Sequence, residues 1–129
     1  MNDQASNNIL LAEDNIFNQK VTLAMLKKLG FQADVAKNGQ EVLDKMEQNN
    51  YAIIFMDCEM PVMDGFVATE KIREMEKTKG QPTMPIVAMT AHSSLEDRQR
   101  CEQSGMNDYI AKPFKIDALQ EVLSHWKLL

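Results

Sequence analysis

Residues 51–65 read YAIIFMDCEMPVMDG, and this stretch decides the fold. Ala52-Ile53-Ile54-Phe55-Met56 is an apolar run too short for a typical helix, rich in β-formers and without polar alternation. Such a run predicts a strand covered on both faces, as in a parallel sheet. It stops at Asp57, so a carboxylate stands at the C-terminal end of a buried strand, the edge at which α/β sheets bind ligands. Pro61 and Asp64-Gly65 then force a loop, and helical spacing begins at Phe66.

Working outward, the apolar run 8–12 predicts a first strand that ends in Glu13-Asp14. Asn15 caps a helix whose Phe17, Val21, Ala24, Met25 and Leu29 recur at near-helical spacing and which Gly30 ends. FQADVA (31–36) alternates as a second strand. Asn38 with Glu41 three residues on has the form of a capping arrangement, so Asn38-Gly39 marks a helix start over 40–48 rather than a hairpin. A helix over 66–75 follows the central strand, and the polar 76–84 reads as a surface loop. The run 85–89 is a fourth strand ending at Thr90, and Ser93 with Glu96 forms a capping box for a helix to about Ser104, closed by Gly105. A fifth strand, 108–111, ends at Lys112-Pro113, and a last helix over 116–128 carries Ile116, Leu119, Val122, Leu123 and Trp126.

Strands and helices thus alternate throughout, which predicts a parallel sheet with helices on both faces. A (β/α)8 barrel needs about twice this length, so the expected class is α/β: a doubly wound, five-stranded, flavodoxin-like sheet. One domain over 1–129 is expected, with a core of about 8–128 and a polar tail at 1–7. Charged residues at 26% and apolar ones at 44% leave no case for global disorder. A net charge of −5 argues against non-specific nucleic-acid binding. Cys58 and Cys101 have no metal-ligand spacing and fit a reducing compartment, and no run reaches membrane-spanning length. A cytoplasmic domain without membrane or nucleic-acid contacts of its own is expected.

The strand ends share a property. Glu13-Asp14, Asp57, Thr90 and Lys112 each end a strand, and a parallel sheet brings those ends to one edge. Strands one and three are expected to adjoin at the point where strand order reverses. Three carboxylates then converge, which is costly unless a cation neutralises them, and a small set of hard oxygen ligands favours Mg²⁺. With Lys112 as a cation and Thr90 as a hydroxyl donor, the parts suffice to move a phosphoryl group, with Asp57 accepting it as an acyl phosphate.

These residues, with Met60-Pro61, Asp64-Gly65, Thr90-Ala91 and Lys112-Pro113 in this order and spacing, resemble the response-regulator receiver domains of two-component signalling over almost the whole chain. The resemblance implies strand order 2-1-3-4-5. It implies Asp57 as phosphoacceptor and Mg²⁺ (or Mn²⁺) held by Asp14, Asp57 and the Glu59 backbone carbonyl, with Glu13 acting largely through water. By the same resemblance Lys112 pairs with a phosphoryl oxygen, and Thr90 and the Ala91 backbone amide bind others. Thr90 and Tyr109 act as the switch pair, and Lys112-Pro113 is a cis peptide. Glu59 and His92 flank the site as candidate tuners of phosphoryl lifetime. Glu13-Asp14-Asn15, Asn18-Gln19, Met89-Thr90-Ala91 and residues 105–109 (GMNDY) resemble receivers of hybrid histidine kinases. That sub-type implies exchange of phosphate with a histidine kinase or a histidine phosphotransfer domain, docking on the first helix and the Phe114 loop. A stand-alone receiver and a piece of a longer kinase, whose full length can carry a membrane anchor, both fit. Such a domain is not an enzyme by itself but catalyses its own phosphorylation and slow dephosphorylation.

Three rivals differ in what they require. A flavin carrier on the same fold needs a phosphate cradle after strand one, where Glu13-Asp14 would repel phosphate. An aspartyl-phosphate phosphatase would use Asp57 with Glu59 two residues on, but that class carries a cap insertion for which there is no room. A phosphate-independent interaction module would not phosphorylate at all.

Overall fold

The apolar runs and the FQADVA stretch form one parallel sheet. The computed structural model describes residues 8–91 and 94–129. In chain order the elements are β1 (Ile9–Ala12), α1 (Ile16–Lys28), β2 (Ala33–Ala36), α2 (Gly39–Gln48), β3 (Ile53–Asp57), α3 (Gly65–Lys79), β4 (Ile86–Thr90), α4 (Leu95–Ser104), β5 (Asp108–Ala111) and α5 (Ile116–His125). The sheet order is β2-β1-β3-β4-β5, the doubly wound arrangement expected, and every pairing is parallel.

Strand residues alternate between two cores because successive side chains point to opposite faces. Leu10, Ile54, Met56, Ile86 and Ala88 pack with Val42, Ala68, Ile72 and Cys101, which places α2, α3 and α4 on one face. Ile9, Leu11, Ile53, Phe55 and Val87 pack with Leu26, Leu119 and Leu123, which places α1 and α5 on the other. The central strands are therefore closed to water on both sides, which is why they read as continuous apolar runs. Each large side chain buried there contributes roughly 1.5–3 kcal/mol.

Helix starts follow local chemistry. Asn15, Asn38 and Asp64 each accept a backbone hydrogen bond from the residue three positions on (2.9 Å in each case). Glu41 reaches back to the Lys37 amide (2.9 Å), so the α2 start is capped from both sides. The expected Ser93 cap lies outside the described residues. The observed N-cap of α4 is Ser94, whose hydroxyl accepts from the Asp97 amide (3.2 Å) and donates to the Asp97 carboxylate (2.6 Å). His92 and the 1–7 tail are also outside the described residues.

Three expectations need correction. The third helix does not stop near Met75; it runs to Lys79, with Gly80 in the left-handed conformation as its cap. The polarity of the last turn misleads, because Glu76 is buried for a reason. Its carboxylate accepts from Arg73 Nη1 (2.9 Å) and from the Met84 amide (2.8 Å). Arg73 also donates to the Gly105 carbonyl (2.9 Å) and to Asn107 Oδ1 (2.7 Å), which ties α3 to the turn before β5. The last helix ends at His125, shorter than 116–128. Finally, α1 turns a different side inward: Thr22 and Leu26 are buried, while Phe17 is 72% exposed and Val21 38% exposed. This helix has apolar residues around more than one side, so spacing alone does not select a face. No helix among the described residues is long and apolar enough to cross a membrane.

Gly65 couples this scaffold to the end of β3. Its amide donates to the Cys58 carbonyl (3.1 Å). A Cβ at this position would stand well inside contact distance of the Asp57 carbonyl oxygen and 2.9 Å from Met56 Cγ. Backbone packs on backbone here, so neither side can yield cheaply. Gly65→Ala is expected to lower stability by about 1–3 kcal/mol, seen as an earlier urea midpoint at unchanged slope.

Candidate functional site

Register brings the chemistry-bearing strand ends together. Ala12 pairs with Met56, so the next residues, Glu13 and Asp57, come level where β1 meets β3. This is the point of reversal in strand order, since β2 lies on the other side of β1. Asp57 pairs with Met89 and Thr90 with Ala111, so Thr90 and then Lys112 follow along the same edge. One carboxylate oxygen from each of Glu13, Asp14 and Asp57 lies within 4.8 Å of the others. Glu13 and Asp57 are buried, whereas Asp14 faces solvent.

Lys112 joins the two buried acids. Its Nζ donates to Glu13 Oε1 at 2.7 Å and to Asp57 Oδ2 at 3.0 Å. The other oxygen of each acid accepts from a backbone amide: Asn15 N to Glu13 Oε2 (3.1 Å) and Glu59 N to Asp57 Oδ1 (3.0 Å). Burial pushes the Asp57 carboxyl up from the usual 3.8 to about 6, against the pull of the Glu59 amide and Lys112 and with a further push from the Glu13 charge. Burial also pushes Glu13 up, but its hydrogen bonds to Lys112 and Asn15 outweigh that, and it ends below its usual value. The Lys112 ammonium is disfavoured by burial, yet its two carboxylate partners raise it above 10.5, so it stays charged. The two acids thus share one proton-holding task unequally, with Asp57 the weaker acid.

The remaining expected residues surround this cluster. Thr90 is buried at the end of β4, on the sheet face against which Tyr109 also packs. Ala88 is level with Tyr109 in the β4–β5 pairing. Arg98 from α4 places its guanidinium 4.2 Å from the Tyr109 ring centroid. Ala91 is exposed, Glu59 is exposed, and the Lys112–Pro113 peptide is cis. Between Asp57 and α3 the chain turns tightly: the Met63 amide donates to the Pro61 carbonyl (2.7 Å), and Val62 takes a φ of 69° with 83% of its surface exposed. A β-branched residue there is strained by about 1–3 kcal/mol. Cys58 is buried and free, and burial with the nearby Cys101 thiol pushes its ionisation far up, which keeps it unreactive.

Two hollows of about 390 Å³ each open beside the cluster. One is lined by Asp14, Glu59, Asp64, Phe66 and Arg100. The other is lined by Glu13, Lys112 and Pro113 with the apolar Phe17, Val21 and Phe114. Sequence reasoning gave Phe17 and Val21 only as part of the apolar spacing of the first helix and did not single out Arg98 or Arg100. The arginines carry no motif, and only the packing of α4 against α3 and β5 brings them near the site.

The response regulator receiver domain family matches residues 9–124. Hybrid signal transduction histidine kinase K of Dictyostelium discoideum is 41% identical over 119 residues, 89% of this chain and 10% of that protein. Hybrid signal transduction protein dokA of the same organism is 45% identical over 118 residues, 92% of this chain and 7% of that protein. The chain spans a tenth or less of the length of these relatives. Among solved structures, the receiver domain of sensor histidine kinase PA1611 from Pseudomonas aeruginosa is similar at TM-score 0.83 and 44% identity, covering 93% of this chain and 96% of that one. That structure has a magnesium ion coordinated in its active site cleft. The Saccharomyces cerevisiae Ssk1 receiver domain, solved with the histidine phosphotransfer protein Ypd1, is similar at TM-score 0.90 and 36% identity, covering 95% and 89%.

The raised Asp57 carboxyl sets a pH test. Its folded value of about 6 exceeds the usual 3.8, so between these pH values the folded state holds a proton that the unfolded chain has released. Stability therefore falls as pH rises through that window. Asp57→Asn removes the penalty and keeps Lys112 on Glu13. In the absence of divalent metal it is expected to be more stable than wild type by about 1–2 kcal/mol at neutral pH, less than full linkage because Lys112 and water screen the ion. The difference is expected to vanish below about pH 4 in urea denaturation at a series of pH values.

Proposed function

The chain belongs to the response regulator receiver domain family, and we propose that it is the phosphoacceptor of a two-component phosphorelay, with Asp57 taking the phosphoryl group. The observation that carries this reading is Asp57 itself. It is a buried carboxylate at the switch point, with one oxygen on Lys112 and an acidic cluster around it.

The donor set fits a hard divalent cation. Three carboxylate oxygens lie within 4.8 Å of one another, and no soft ligand is among them. Asp14, Asp57 and the Glu59 backbone carbonyl would hold Mg²⁺ or Mn²⁺, with Glu13 acting through water. Such an ion, when bound, offsets the charge of the three acids and of the phosphoryl oxygens. Asp57 then attacks phosphorus: a bond forms from its carboxylate oxygen while the phosphorus–nitrogen bond of the phosphohistidine donor breaks, and the electron pair leaves on the imidazole. Lys112 transfers one of its hydrogen bonds from a carboxylate to a phosphoryl oxygen. The Thr90 hydroxyl and the Ala91 amide donate to others, and Tyr109 moves into the space that Thr90 leaves on their shared face. The two arrangements differ in surface, and a partner that prefers one is thereby switched. Attack by water on the acyl phosphate returns the domain to its resting state, so phosphorylation and slow dephosphorylation are both its own. Nucleic acid and membrane play no part in this reading.

The partner is a histidine phosphotransfer domain or a histidine kinase. Its docking face is the apolar hollow beside Lys112, bordered by Phe17, Val21 and Phe114. Ile16 is 64% exposed and Phe17 72%, an unusual outlay of large apolar surface next to a charged site. Burying Phe17 in an interface would contribute roughly 1.5–3 kcal/mol.

Intact mass after incubation with acetyl phosphate and Mg²⁺ is the test. Wild type is expected to gain one phosphoryl group that chelation of the metal prevents, and Asp57→Asn to gain none. A wild type that folds, binds Mg²⁺ and stays unmodified would overturn the reading in favour of a phosphate-independent module. Phe17→Ala is expected to keep its rate with acetyl phosphate and to lose about tenfold or more in transfer from a phosphohistidine protein.

A further inference from the structure

We propose that Arg100 is the cation at the mouth of the acceptor site, drawing in an anionic phosphoryl donor while holding down the affinity for the divalent metal. The assignment rests on the phosphoacceptor reading and adds a residue to it.

Arg100 lies on α4, with no sequence motif around it. Its guanidinium sits 4.0 Å from the centroid of the Phe66 ring at the start of α3. This stack fixes a flexible side chain over one spot and leaves its charge free to act on the space beside it. That space is the hollow lined by Asp14, Glu59 and Asp64. Asp14 also belongs to the acidic cluster with Asp57, so the hollow borders the acceptor site through Asp14. Among the described residues that line it, Arg100 is the one basic side chain.

The charge arrangement makes the role specific. A small phosphoryl donor is a dianion, and it must approach a site crowded with carboxylates. Lys112 offers a positive charge on the far side, against Glu13 and Asp57 Oδ2. Asp57 Oδ1 is instead turned to the Glu59 amide, and Glu59 lines the Arg100 hollow. A donor arriving through that hollow meets Arg100 first and Lys112 last, and so passes between two cations. The same fixed charge repels a divalent cation bound by Asp14. Arg100 therefore acts in opposite directions on the two ligands of one site, and a residue that merely holds α4 against α3 would not.

Neutralising one exposed charge near a dianion shifts its capture by a small factor, about two- to fivefold. Arg100→Ala is expected to lower the second-order rate of phosphorylation by acetyl phosphate two- to fivefold at saturating Mg²⁺. Its Mg²⁺ dissociation constant, titrated by calorimetry, is expected to fall about twofold. Both differences are expected to shrink in roughly 0.5 M salt. Arg100→Lys keeps the charge and is expected to stay near wild type on both measures. Lys77→Ala, an equal charge change in the last turn of α3, is expected to move neither.

An Arg100→Ala protein that matches wild type on both measures overturns the assignment and leaves Asp57 as acceptor. Weaker binding of both Mg²⁺ and donor also overturns it, because that pattern reports a loosened site rather than a removed charge. A wild type that takes no phosphate at all removes the phosphoacceptor reading and this assignment together.

Discussion

A buried lysine between two buried acids is the constraint on which the arrangement depends. Lys112 directly follows the last strand, Glu13 directly follows the first and Asp57 ends the middle one, so a single ammonium closes a link across the sheet edge. Removing Lys112 leaves two buried carboxylates without their cation, which is far costlier than the link is stabilising, whereas without Asp57 the ammonium still pairs with Glu13. The link is also short of positive charge: two carboxylates face one lysine and Asp14 adds a third acid, while burial, with a smaller push from the Glu13 charge, raises the Asp57 carboxyl. A site that is left short of positive charge is one that accepts a cation and then an anion.

Around that link, rigid and weakly held parts are distributed unevenly. The central strands are sealed on both faces, and Gly65 lets the α3 backbone lie directly against the end of β3. Asp57 is therefore presented from a part of the chain that cannot easily move. By contrast α4 is a polar helix that buries only Cys101 and Ser104. It rests on its neighbours through two arginine–aromatic stacks, Arg98 on Tyr109 and Arg100 on Phe66. Thin apolar burial gives a low cost of local displacement. The element beside Thr90 and Tyr109 is thus the one with least to lose by shifting.

The first helix shows how function borrows from packing. It needs only Thr22 and Leu26 fully inside, with Leu23, Met25 and Leu29 as partial cover. Phe17 and Val21 are apolar without being core, and they border the hollow that contains Lys112. The same apolar character that blurs the helix's amphipathic pattern provides a sticky surface next to the reactive one.

Much was legible in the sequence because it depends on local or periodic causes. Three apolar runs of four or five residues read as strands buried on both faces, and with the alternating FQADVA stretch and 108–111 they make five strands alternating with helices, which predicts a parallel sheet. Parallel strands put their ends at one edge, so the sequence alone gathers Glu13, Asp14, Asp57, Thr90 and Lys112 there. What remained hidden depends on neighbours distant in sequence. Glu76 looks like loop polarity until Arg73 and the Met84 amide are seen to meet it. The inward side of α1 is chosen by the sheet beneath it, not by its own spacing. Arg100 is an ordinary helical arginine until the packing of α4 against α3 sets it on Phe66 at the rim of the acidic hollow. Sequence by itself determined which polar residues stand at the strand ends and helix caps, since these are set by nearest neighbours in the chain. Tertiary structure alone decided which charges and apolar surfaces face them, since that follows from how separate elements dock.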